Sequence, residues 1–134
     1  MDSEKVTELR LVVTTPDYAE ALRFYCDVLG LKAKASYSAA GGHVTILEAG
    51  RATLEINDPA YAAYIDEVEV GRRVAGHMRV AFEVADTETV TAELVAAGAN
   101  LLSKTVRTPW GSLNSRLESP GGLQLTLFSG ESDE

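Results

Sequence analysis

Residues 8–15 alternate in character. Leu9, Leu11 and Val13 fall on one side of an extended chain, and Arg10, Val12 and Thr14 on the other. Rich in β-branched side chains, this stretch predicts a strand. The period then changes. Ala21, Leu22, Tyr25, Val28 and Leu29 recur at helical spacing, and Gly30 supplies a C-cap. Asp17 is the N-cap candidate, one residue late if Pro16 opens the helix. Strand-like stretches return at residues 31–37, 43–48 and 52–57, separated by turn-forming runs at 39–42 and 49–51. The first half thus predicts a strand, a helix and three more strands.

The second half repeats that order. Residues 78–84 put Met78, Val80, Phe82 and Val84 on one face and Arg79, Ala81 and Glu83 on the other. Asp86 caps a predicted helix carrying Val90, Leu94, Val95 and Ala97, which ends at Gly98. Three strands follow at 101–106, 113–118 and 123–128, with turns at Pro109-Trp110-Gly111 and at residues 119–122. Residues 58–76, which hold Tyr61, Tyr64 and the acidic run at 66–69, predict a connector with a helical turn.

One β-α-β-β-β unit covers a single face of its sheet, and a second copy helps to close the other. The expected fold class is therefore α+β: two tandem βαβββ modules forming curved mixed sheets around a cavity, closed in a homodimer. Residues 1–134 read as one domain, with module 1 at 8–57, the connector at 58–76, module 2 at 77–128 and an acidic tail at 129–134.

Composition narrows the partners. An apolar fraction of 46% over 134 residues supports a packed core. A formal net charge of −8 repels phosphate backbones, so nucleic acid is not an expected partner. No apolar run reaches a membrane span and the first residues lack a signal-peptide pattern, which favours a cytoplasmic protein with no membrane partner. Cys26 is the only cysteine, so no intrachain disulfide can form, and with no neighbouring base in sequence it reads as structural.

The strand, Pro16-Asp17, the helix segment at 21–25 and Val28-Leu29-Gly30-Leu31 resemble the first module of the vicinal oxygen chelate superfamily. That group holds glyoxalase I, extradiol dioxygenases, fosfomycin-resistance enzymes and bleomycin-resistance proteins. Asp86, Ala96-Ala97-Gly98, Pro109-Trp110-Gly111 and the Ser-Pro-Gly-Gly turn at 119–122 resemble its second module. The resemblance spans roughly residues 8–128. It implies fold strongly and function weakly, because this scaffold serves unrelated chemistries.

The resemblance also implies four positions where the metalloenzymes carry His or Gln, Glu, His and Glu. Counting seven residues back from Asp17 and from Asp86 gives Arg10 and Arg79; the last strands of the modules give Glu55 and Thr126. A guanidinium has no lone pair to donate and keeps its proton, so two of them repel a dication. Thr126 is a poor ligand, and Glu55 alone does not hold a transition metal firmly. No metal and no cofactor are expected. Arg10 and Glu55 read either as a cross-strand ion pair or as a ligand cradle, and two arginines against one carboxylate would suit an anionic group.

Trp110 could stack on a flat ligand or pack on the rim; Phe128 and Tyr37 could face the groove. Tyr61 and Tyr64 could close over the cavity or make a dimer contact. His43 and His77 read as histidines near solvent, although His77 shares the strand face of Arg79. The expected ligand-binding residues are Arg10, Glu55, Arg79, Trp110, Thr126 and Phe128, with Glu55 the one weak catalytic candidate.

Two functional readings follow. The first is a metal-free protein of the bleomycin-resistance type that sequesters a flat organic ligand or anionic metabolite. The alternative is an enzyme of the same superfamily, a glyoxalase-like lyase or a dioxygenase, or a metal-free catalyst with Glu55 as base and an arginine steadying an enolate.

Overall fold

The computed structural model describes residues 5–120 and 122–130. Module 1 supplies strands β1 (Val6–Thr14), β2 (Lys32–Ala39), β3 (Gly42–Ala49) and β4 (Ala52–Asn57). Module 2 supplies β5 (Met78–Val84), β6 (Asn100–Arg107), β7 (Leu113–Glu118) and β8 (Gln124–Ser129). The two first strands, β1 and β5, pair antiparallel, with Leu11 opposite Val80 and Val12 opposite Arg79. That seam joins the modules edge to edge into one curved, unclosed sheet of order β2-β3-β4-β1-β5-β8-β7-β6. Within each module the first and last strands are parallel neighbours, and the remaining pairs are antiparallel.

Strand alternation sorts the side chains onto two faces. Arg10, Val12, Glu55, Arg79, Ala81, Thr126 and Phe128 share one, because the register sets Val12 opposite both Glu55 and Arg79, and Ala81 opposite both Arg10 and Thr126. On the other face helix α3 (Thr87–Ala96) covers module 2, where Val84, Val90, Leu117 and Leu127 form a buried cluster. Asp86 caps α3 as predicted, accepting from the Thr89 backbone N–H at 3.3 Å.

The corresponding helix of module 1 differs from its sequence pattern. Helix α1 is only Tyr18–Leu22, and it continues as a π-helix over Arg23–Val28. Leu29 N–H donates to the Phe24 carbonyl, five residues back, at 3.0 Å. The wider winding rotates the end of the expected apolar stripe away from the sheet, leaving Val28 63% and Leu29 61% exposed. Asp17 makes no side-chain cap; its N–H instead donates to Thr15 Oγ1.

The connector is more ordered than a helical turn. Residues Pro59–Glu69 form α2, an eleven-residue helix. Asp58 caps it, accepting from Tyr61 N–H at 2.9 Å, and Pro59 opens it. The same Asp58 carboxylate accepts from His43 N–H, which ties the start of α2 to β3. Gly42 is required at this approach: a Cβ there would lie 2.2 Å from the Tyr61 backbone nitrogen. Helix α2 crosses the charged face of the sheet and touches β2, β3, β6 and β7, the outer strands of both modules.

Residue 129, expected to open the acidic tail, belongs to β8. Ser129 ends β8, is buried, and shares a hydrogen bond with Thr87 Oγ1. Residues 131–134, the first four residues and Gly121 of the Ser-Pro-Gly-Gly turn lie outside the described residues. Among the described residues no helix is long and apolar enough to cross a membrane.

Candidate ligand-binding site

Between α2 and the charged face of the sheet lies a cavity of about 250 Å³. Arg10, Glu55, Arg79, Trp110, Thr126 and Phe128 all line it. Their convergence follows from topology. The antiparallel β1–β5 seam sets Arg10 and Arg79 diagonally across from one another, and the parallel outer partners add Glu55 and Thr126 on the same face. Tyr37, Tyr61 and Tyr64 also line the cavity. Tyr61 and Tyr64 project from α2 and meet edge to face, with ring centroids 5.5 Å apart; Trp110 stands 6.1 Å from Tyr64. The cavity thus has an aromatic wall and a charged floor.

The floor is built from paired charges. Arg10 and Glu55 are close, 3.7 Å apart, but they are diagonal rather than cross-strand partners, because Thr53 stands opposite Arg10. The tight partner of Arg10 is Glu8, which accepts from Nε at 3.1 Å and from Nη2 at 3.0 Å. Arg10 also lies over the Phe128 ring, 5.0 Å from its centroid. Burial pushes the Glu8 carboxyl upward, but its hydrogen bond from Thr53 and the charge of Arg10 outweigh this and hold it below the ordinary range.

Three residues essential to the floor escaped the sequence reading: Asp66 and Glu69 of α2, and Arg116 of β7. Arg116 is fully buried. Its Nε donates to Glu69 Oε1 at 3.0 Å and to Thr126 Oγ1 at 3.1 Å; its Nη1 donates to Asp66 Oδ1 and Gln124 Oε1, each at 2.9 Å. Asp66 also accepts from Arg73 and from the backbone N–H groups of Val74 and Ala75. Burial raises the Asp66 carboxyl, yet these donors and the Arg116 charge leave it below its usual value. Asn114 holds the second oxygen of Glu69 at 2.7 Å. The expected positive remainder on the floor is therefore balanced: Glu8 answers Arg10, and Glu69 adds a second carboxylate to the cavity lining.

Thr126 is a junction. It accepts from Arg79 Nη1 at 2.9 Å and from Arg116 Nε, and it donates to Glu69 Oε1 at 3.1 Å, so its donor and both lone pairs are used inside the protein. Arg79 is drawn below its usual value by burial, with Glu69 opposing the shift. Tyr61 is pushed well above the ordinary tyrosine value, first by burial and then by the Glu55 charge, and so it presents a protonated hydroxyl.

These residues do not fit the metal that the family resemblance implies. Two guanidiniums flank Glu55 at 3.7 and 3.9 Å, and they have no lone pairs for a cation. No group of three or more His, Cys, Asp or Glu side chains among the described residues could hold a metal ion. The histidines stand elsewhere: His77 Nδ1 lies 2.9 Å from the Thr14 carbonyl, and His43 Nδ1 lies 2.9 Å from Ser38 Oγ, both exposed. Cys26 lies in the π-helical segment and does not line the cavity.

Two βαβββ modules joined through their first strands, with a buried polar floor, define the class of fold. The chain belongs to the Glyoxalase/Bleomycin resistance protein/Dioxygenase superfamily, whose family profile matches residues 9–127. No curated protein sequence matches it. Among solved structures, a methylmalonyl-CoA epimerase from Mycobacterium tuberculosis is 18% identical with a TM-score of 0.71, covering 98% of this chain and 93% of that one. A hypothetical protein from Bacillus halodurans C-125 is 17% identical with a TM-score of 0.70, covering 93% and 94%. A mutant of 4-hydroxymandelate synthase from Streptomyces coelicolor is 23% identical with a TM-score of 0.62, covering 95% of this chain but 38% of that one. At these identities the likeness is one of fold.

Proposed function

We propose that the protein binds a small, flat organic molecule in the cavity without a metal, in the manner of sequestering bleomycin-resistance proteins. The observation that carries this reading is the pairing of an aromatic wall with a floor whose family metal positions hold arginines: Arg10 and Arg79 flank Glu55 where a dication would need neutral donors. Calorimetric titration with small quinones and aromatic antibiotics tests it. Saturable binding to at least one of them, weakened in Trp110→Ala, supports the reading. Turnover of a substrate with no binding by any panel member contradicts it.

A second reading has a specific observation in its favour. Glu55 is 6% exposed, faces the cavity and, among the described residues, accepts one hydrogen bond, from Asn57 at 3.2 Å, so it could take a proton from a bound carbon acid. The neighbours that are methylmalonyl-CoA epimerases favour a search for isomerase or lyase activity. Full turnover in Glu55→Gln would remove Glu55 as the base.

A homodimer in the cytoplasm completes the proposal. Phe24, Val28 and Leu29 are more than half exposed, and a second copy would bury them. Sedimentation of a monomer at micromolar concentration, unchanged in Val28→Glu, would contradict it.

A further inference from the structure

We infer that the cavity selects a neutral ring compound whose polar head carries a hydrogen-bond acceptor and a donor on adjacent groups, as a primary amide does. The inference rests on the binding role just proposed and names the ligand class for it. Among the described residues four cations and four carboxylates surround the floor, and they are not equally engaged. Arg10 is held from behind by Glu8, and Arg116 by Asp66 and Glu69, all at 3.1 Å or less. Arg73 is held by Asp66 at 2.7 Å. The more loosely held groups are Glu55, which also lies 3.7 Å from Arg10, and Arg79. Their closest approach is 3.9 Å, beyond hydrogen-bond reach, although both are 6% exposed and both line the cavity.

Among the described residues the Glu55 carboxylate accepts a hydrogen bond from Asn57 alone and so has acceptor capacity left, and the Arg79 guanidinium, bonded through Nη1, has donors left. A carbonyl oxygen would take an N–H from Arg79 while the adjacent N–H or O–H gives to Glu55. A carboxylate would satisfy Arg79 but meet the Glu55 charge, and a cation would meet two guanidiniums. The cavity of about 250 Å³ has room for a ring with a short head, and Tyr64 and Trp110 supply faces for that ring.

Trp110 is the only tryptophan, so its emission reports occupancy directly. The full chain is titrated with benzamide, benzoate, benzamidinium and naphthoquinone, each saturation checked by calorimetry. The expected result is benzamide binding at least about tenfold more tightly than benzoate or benzamidinium, the preference that charge-assisted hydrogen bonds provide. In Glu55→Gln the floor loses a negative charge, and the order of benzamide and benzoate reverses. Benzoate or benzamidinium binding best to the wild type overturns the inference while leaving the binding role intact, as does saturation by naphthoquinone alone. No saturable change with any of the four overturns the inference, and the wider panel of quinones and aromatic antibiotics then decides the binding role separately. The wild-type order decides even where the variant does not fold.

Discussion

Thr126 Oγ1 donates a hydrogen bond to Glu69 Oε1 at 3.1 Å. A carboxylate from the connecting helix thus stands beside the hydroxyl that occupies the last ligand position implied by family resemblance. The same oxygen accepts from Arg79 and Arg116, so one small side chain couples α2, β5 and β7. These hydrogen bonds tie the module 2 side of the floor to α2.

Thr126→Val keeps the shape and removes the junction. Arg79 Nη1 and Glu69 each lose a partner in a buried setting. The expected loss is about 1–3 kcal/mol, read by urea denaturation. An unchanged midpoint would mean that the junction contributes nothing to stability.

Arg116→Met leaves Asp66 and Glu69 buried without their shared cation. The expected destabilisation is about 3–5 kcal/mol, larger than for Thr126→Val. Adding Asp66→Asn and Glu69→Gln to that variant should recover part of the loss. No recovery in the triple variant contradicts the pairing.

Asp66 gives the fold an acid-sensitive component. Its folded value lies below its ordinary one, so the unfolded chain binds the proton more readily. That contribution is complete above the unfolded carboxylate range, at a pH of about 4, and it is lost as pH falls through the folded value. Urea midpoints should fall as pH is lowered below about 4, and less steeply in Asp66→Asn. Equal slopes would exclude Asp66 as a source.

Gly42→Ala tests the seat of α2. The added Cβ meets the backbone of Tyr61 and Ala60, not a flexible side-chain end alone. A loss of about 1–3 kcal/mol is expected, with weaker burial of Trp110 seen in its emission maximum. Wild-type stability would mean that α2 shifts without cost.

The strands were legible because their apolar and polar positions alternate and glycine turns separate them. The four floor positions followed from the family resemblance: Arg10 and Arg79 by counting back from Asp17 and Asp86, Glu55 and Thr126 from the last strands of the modules. Helix α2 was signalled by Asp58-Pro59, an N-cap followed by proline, and by Tyr61, Ile65 and Glu69 at helical spacing, which bury one face. Its tyrosines are followed by an acidic last turn, a composition that reads as a solvated connector until Arg116 is known to face it. Arg116 itself lies between Ser115 and Leu117 in an ordinary strand pattern, with partners 47 and 50 residues away. Such a pairing exists only once the sheet has curved beneath α2. The failure of the α1 stripe has a local cause, the π-helical winding, which periodicity at 3.6 residues does not register.

The most direct test is elemental analysis of protein purified without chelator, paired with zinc titration by calorimetry. The account predicts less than a tenth of an equivalent of any transition metal, on the order expected for adventitious ions, and no zinc binding that depends on Glu55. A stoichiometric ion that is lost in Glu55→Ala would contradict it.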